Sequence, residues 1–119
     1  MQKIYKPEEH PKGWGKEVWM VNNELYCGKL LHVLKGKRCS IHYHKKKDET
    51  FYLLKGKILL ELYEEGYPKK PTSTIFSEGD AIHIPIGLSH QFIAREDATI
   101  IEISTQHFED DSIRLVKGD

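Results

Sequence analysis

Turn-forming residues divide this chain into short pieces. Asn22-Asn23, Lys35-Gly36-Lys37, Lys55-Gly56-Lys57, Gly66-Tyr67-Pro68, Pro71, Glu78-Gly79-Asp80 and Pro85-Ile86-Gly87 each supply residues that permit an unusual φ or preset it. Between them lie segments of β-type composition: Glu17–Val21, Leu25–Leu34, Cys39–His44, Thr50–Leu54, Lys57–Glu64, Ser73–Phe76, Ala81–Ile84, Gln91–Arg95 and Thr99–Ser104. No segment sustains an apolar period of 3.6 residues, and no internal repeat or low-complexity tract is present. The pattern predicts an all-β sandwich or barrel.

The chain has 119 residues, enough for one domain with its own core and too few for two comfortable ones. One domain over residues 1–119 is expected. Residues 1–16 contain Pro7, Pro11, Gly13 and Gly15 without clear alternation, so they read as an arm that wraps the barrel or reaches a second subunit. A homodimer would also cover exposed strand edges. Lys plus Arg and Asp plus Glu both number 18, giving a formal net charge of zero. Nothing in that balance supports a nucleic-acid partner. No apolar run approaches the roughly 18 residues of a membrane span, and the N-terminus lacks the apolar stretch of a secretion signal. The expectation is a cytoplasmic protein with no membrane partner, in which the two cysteines, Cys27 and Cys39, stay reduced and packed.

Two motifs carry chemistry. Residues 36–56 read G-x5-H-x-H-x4-E-x6-G, and Gly79 to His90 reads G-x5-P-x-G-x2-H. Side chains two apart on a strand share a face, so His42 and His44 point together while Tyr43 points away. A turn at Lys45–Asp48 then places Glu49 at the start of the next strand, and the turn built by Pro85 and Gly87 delivers His90 from another hairpin. Three imidazoles and one carboxylate suit a divalent transition metal such as Zn, Mn, Fe, Co or Ni. His10, His32, His83 and His107 lack such companions and read as structural or surface residues. Arg38 and Lys45–Lys47 read as a solvated charge run, or else as cations that meet an anionic ligand at the barrel mouth. Tyr43, Phe51, Tyr52 and Phe92 read mainly as core or interface.

The two motifs, over residues 36–56 and 79–94, resemble the paired motifs of the cupin superfamily, whose members are small jelly-roll barrels holding one metal inside. The resemblance implies a double-stranded β-helix with His42, His44, Glu49 and His90 as metal ligands. Family members often carry Asn four residues after the last histidine. Here that position is Ala94, which touches only the surroundings of the ligands.

Further segments are similar to the cupin part of type II mannose-6-phosphate isomerases and to D-lyxose isomerase-like proteins: Trp14-Gly-Lys-Glu-Val-Trp19, Tyr26-Cys-Gly-Lys29, Ile101-Glu102-Ile-Ser-Thr105 and Glu109-Asp-Asp-Ser-Ile-Arg-Leu115. This implies a sugar or sugar-phosphate isomerase acting through a metal-stabilised enediolate. Glu102 is the candidate base: apolar neighbours allow an inward carboxylate whose burial would raise its pKa, while the other reading is an outward residue on an edge strand. Lys29 is the candidate donor to a substrate oxygen, or an ordinary lysine on an exposed strand face. Two other functions fit the same ligands: a non-catalytic carbohydrate-binding accessory to nucleotide-sugar or polysaccharide metabolism, and an Fe(II)-dependent dioxygenase.

Overall fold

The structure, a computed structural model, describes residues 1–119. Its elements are β1 (Glu8–Lys12), β2 (Gly15–Asn22), β3 (Cys27–Val33), β4 (Ile41–His44), β5 (Glu49–Lys55), β6 (Lys57–Tyr63), β7 (Thr72–Ser77), β8 (Ala81–Ile84), β9 (Ser89–Ala94), β10 (Ala98–Ser104) and β11 (Ser112–Val116). They form two antiparallel sheets, one in the order β1-β2-β3-β10-β5-β8 and one in the order β11-β4-β9-β6-β7. Strands distant in sequence are neighbours in both, as the jelly-roll winding requires. No helix of the structure is long and apolar enough to cross a membrane.

Period-two alternation makes each strand amphipathic. In β3, Cys27, Lys29, Leu31 and Val33 are buried, and Gly28, Leu30 and His32, which alternate with them on the other face, are half-buried. Leu53, Ile58, Leu60 and Ile100 are fully buried and anchor a core of 14 residues shared by the two sheets. Both cysteines are free and buried.

The inward-facing set is graded along the strands. In β3 it runs from Val33 and Leu31 to Lys29, in β10 from Ala98 and Ile100 to Glu102, in β5 from Leu53 and Phe51 to Glu49, and in β9 from Ala94 and Phe92 to His90. Antiparallel register stacks the polar ends together: Glu102 lies opposite Lys29 and Phe51, Ser104 opposite Glu49, and His42 opposite His90. One end of the interior is therefore hydrocarbon and the other is charged.

Three details depart from the sequence reading. Residues 8–12 are not an arm but a strand paired with β2; β1 is the edge of its sheet, where Pro11 costs no ladder bond. Met1–Pro7 precedes the first strand and is tied by the Tyr5 hydroxyl donating to the Met20 carbonyl at 2.6 Å. The segment beginning at Leu25 becomes a strand only at Cys27, because the Asn23 side chain accepts from the Leu25 and Tyr26 amides at 2.8 and 3.0 Å and holds a turn. Finally, β11 was not anticipated; it pairs with β4 and sets Ser112 opposite His44 and Arg114 opposite His42.

The edge strands β1 and β11 contribute no residue to the core. Gly56, which closes the first motif, shows why that position needs glycine: its φ is +97°, and a Cβ there would overlap the Asp97 carbonyl oxygen.

Candidate metal centre

His42 and His44 on β4 and His90 on β9 bring their rings together, with centroids 5.1 Å apart for His42–His44 and 4.6 Å for His42–His90. The His42 and His90 rings are tethered on the Nδ1 side. His42 Nδ1 lies 3.1 Å from the Ser40 carbonyl, and His90 Nδ1 lies 2.9 Å from the Leu88 carbonyl. A carbonyl can only accept, so these nitrogens carry the proton and leave Nε2 with its lone pair. His44 Nδ1 faces Asp111 Oδ2 at 3.5 Å. That carboxylate is buried and accepts the backbone amides of Lys45, Lys46 and Lys47 at 3.0, 2.8 and 3.0 Å, so it fixes the turn that follows His44, while His44 Nδ1 itself has no hydrogen-bond partner.

Glu49 completes the group from the start of β5. Its Oε1 is 3.4 Å from His44 Nε2, and its Oε2 is 3.7 Å from His90 Nε2. Glu49 Oε2 and His90 Nε2 are buried without any hydrogen-bond partner. Orphaned buried acceptors facing each other call for a cation, and these separations are comparable with those between two ligands each about 2.0–2.2 Å from one ion. The side chains do not stand in a finished metal-holding arrangement. Glu49 Oε1 is also 3.1 Å from the Lys47 ammonium, which neutralises it meanwhile. Burial, followed by the other nearby cations and rings, lowers the pKa of all three histidines, to about 3 for His44 and about 4 for His90. They are neutral at physiological pH, the form that binds metal.

Both candidate proton-transfer residues point to the same place. Glu102, 4 % exposed, sits on β10 between β3 and β5; it is inward on a central strand, not outward on an edge. Lys29, 2 % exposed, lies directly opposite it. Lys29 Nζ is 3.6 Å from Glu17 Oε1 and 4.2 Å from the centre of the Trp19 ring. Glu102, Lys29, the three histidines and Glu49 line one cavity of about 170 Å³.

The structure corrects three assignments. Lys47 is not part of a solvated run: it is 2 % exposed, and its ammonium lies 3.0 Å from Glu102 Oε2 and 3.1 Å from Glu49 Oε1. His107 also faces the cavity, its Nδ1 3.2 Å from Lys47 Nζ. Third, burial of Glu102 does not raise its pKa. Burial alone would do so, but the charges of Lys47 and Lys29, with hydrogen bonds from Lys47 and Ser104, carry it below the ordinary value. Its neighbour Glu49 is pushed up, by burial and then by the Glu102 charge.

The other histidines have structural partners: His10 stacks on Trp19, His32 meets the Thr99 hydroxyl at 3.1 Å, and His83 meets Asp48 at 2.7 Å. Phe51 and Phe92 pack edge to face in the core, whereas Tyr52 is exposed. Lys47 was hidden in the sequence because Lys45-Lys46-Lys47 is a homogeneous run; only the fold shows that Asp111 turns the third lysine inward.

The family described as "Cupin domain" matches residues 29–104. No curated protein sequence matches the chain. Among solved structures, CapF, a capsular polysaccharide assembling protein from Staphylococcus aureus, is 16 % identical with a TM-score of 0.81, over 95 % of this chain and 32 % of that one. KdgF from Halomonas sp. is 20 % identical with a TM-score of 0.68, over 80 % of this chain and 81 % of that one. Oxalate decarboxylase from Bacillus subtilis is 18 % identical with a TM-score of 0.77, over 92 % of this chain and 30 % of that one. The chain thus spans about a third of the length of CapF and of oxalate decarboxylase, and these likenesses establish the fold alone. The jelly-roll winding of two sheets and a family match running from β3 to the end of β10 lead to one conclusion: the chain belongs to the cupin family.

Proposed function

We propose that this cupin is a metal-dependent isomerase of an aldose or aldose phosphate, with His42, His44, Glu49 and His90 holding one divalent transition metal. One observation carries the reading: a buried carboxylate, Glu102, and two buried ammonium groups, Lys29 and Lys47, share a cavity with the imidazole group. A carbohydrate-binding accessory has no use for such a set at its innermost point. Burying three charges without a task is costly.

A bound divalent ion would act as a Lewis acid toward a sugar carbonyl. The protein side chains then have distinct tasks. Glu102, held as a carboxylate by its cationic neighbours, accepts the proton from the carbon next to the carbonyl and returns it to the former carbonyl carbon. The hydroxyl proton of that neighbouring carbon passes to the former carbonyl oxygen, a transfer for which the Lys29 ammonium is the candidate donor. Its low pKa makes it a weak base. That deficit has to be offset by stabilising the negative charge that develops on the substrate oxygen, which is where the ammonium groups of Lys29 and Lys47 act. Trp19 and Glu17 hold Lys29 in place from the side.

The test begins with metal analysis of protein purified without added metal, followed by a panel of aldoses and aldose phosphates on the same sample. About one divalent ion per chain and oxygen-independent aldose–ketose interconversion are expected. His44→Ala should weaken metal binding by more than the roughly 10–100-fold seen when an outer partner is changed, while leaving the protein folded, since Asp111 keeps its three amide partners. Sugars that bind and never turn over would overturn the catalytic reading. Substrate-dependent oxygen uptake with Fe(II) would replace it with the dioxygenase.

A further inference from the structure

The charged residues around the cavity are paired with one another except at its solvent side. Lys29 meets Glu17 at 3.6 Å, and Lys47 meets Glu49 and Glu102 at 3.1 and 3.0 Å; burial keeps the His107 imidazole neutral, so the exposed Glu109 3.9 Å from it retains its charge at the rim. The two cations Lys12 and Arg114 also line the cavity, and neither has an ion-pair partner. They come from opposite sheets, Lys12 from the end of β1 and Arg114 from β11. Arg114 lies directly opposite His42 in the ladder, so its side chain shares the inner face with that ring. Both are exposed, whereas Lys29, Lys47, Glu49 and Glu102 are buried. The cavity thus has a closed inner end in which both ammonium groups are paired with carboxylates, and an open outer end where the two cations Lys12 and Arg114 outnumber the single carboxylate of Glu109.

We propose that the sugar carries an anionic group at the end remote from its carbonyl, and that Lys12 and Arg114 bind that group. A guanidinium fork matches the paired oxygens of a phosphate or carboxylate, and an ammonium across the opening adds a second charge-assisted contact. An unpaired cationic rim on a concave site also draws anions toward it. Neither residue falls within the family match over residues 29–104, so this feature belongs to the chain's own flanking strands. The inference builds on the isomerase reading in taking the ligand to be a sugar, and it fixes which class of sugar.

The test is calorimetric binding, which does not depend on turnover, of a neutral aldohexose, its 6-phosphate and the corresponding uronic acid to the intact protein as purified. At least one anionic sugar is expected to bind roughly tenfold or more tighter than the neutral one, each charge-assisted contact contributing about that much. Arg114→Met and Lys12→Met should each remove about tenfold from the anionic sugar and leave the neutral sugar unchanged; Lys45→Met, which removes an exposed charge outside the cavity, should change neither. The phosphate and the uronate arms distinguish the two sources of the anion. Equal affinity for neutral and anionic sugars, binding of neither anion, or an equal loss in Lys45→Met overturns the proposal. Charge-dependent binding without turnover leaves it standing and removes the isomerase; turnover of neutral sugars without any anion preference does the reverse.

Discussion

Replacing Lys47 with Met is expected to lower the stability of this protein by about 3–5 kcal/mol, the usual cost of removing one partner from a buried ion pair. The ammonium is 2 % exposed and stands 3.0 Å from Glu102 Oε2 and 3.1 Å from Glu49 Oε1. Without it, two carboxylates from β5 and β10 share a dry site, and both cannot remain ionised there. At about 4–8 °C per kcal/mol for a domain near this size, the melting temperature should fall by on the order of 10–40 °C. Thermal melts with and without a divalent ion separate two contributions. If Glu49 is a metal ligand, added metal should restore part of the loss, because binding to the folded state alone raises stability. A loss below about 1 kcal/mol, as for an exposed pair, would show that the two carboxylates have other compensation.

The second large effect concerns catalysis. Glu102→Gln keeps the size and hydrogen-bonding capacity of the side chain but removes its ability to accept a proton, so turnover should fall by a factor on the order of 10² to 10⁴. Metal content should stay at the wild-type level, because Glu102 contacts the Lys47 ammonium and the Ser104 hydroxyl rather than any of the imidazoles. Steady-state kinetics on the substrate found in the panel, with metal analysis on the same sample, measure both. An active variant would dismiss Glu102 as the base and leave the metal assignment untouched.

Much of the fold was legible because strand proteins write their inside and outside in alternate residues. Thr99–Ser104 reads as a strand from that alternation, and the structure adds one residue, Ala98. The placement of Glu49 at the head of β5 follows from the turn before it. What could not be read was which residues the sheets bring together from afar. Parity says that Glu102 and Lys29 each have two possible faces; only the β3–β10 pairing makes them opposite one another and buries both. Lys47 was invisible for a different reason. Its inward turn depends on Asp111, 64 residues away in sequence, capturing three successive amides. β11 lay behind the acidic stretch Glu109-Asp110-Asp111, where charge hid a five-residue strand.

The edge strands give the molecule a division of labour that bears on how such proteins diversify. Every ligand-proximal residue on β3, β5, β9 and β10 shares its strand with core residues, so a shift of register there would displace hydrocarbon as well as chemistry. β1 and β11 supply nothing to the core, yet they deliver Lys12 and Arg114 to the rim. Exposed substitutions away from structural features typically change stability by only about 0.5 kcal/mol either way. Ligand preference can therefore drift on these two edge strands while the interior stays constant, and a lineage could exchange one ligand for another without passing through an unfolded ancestor.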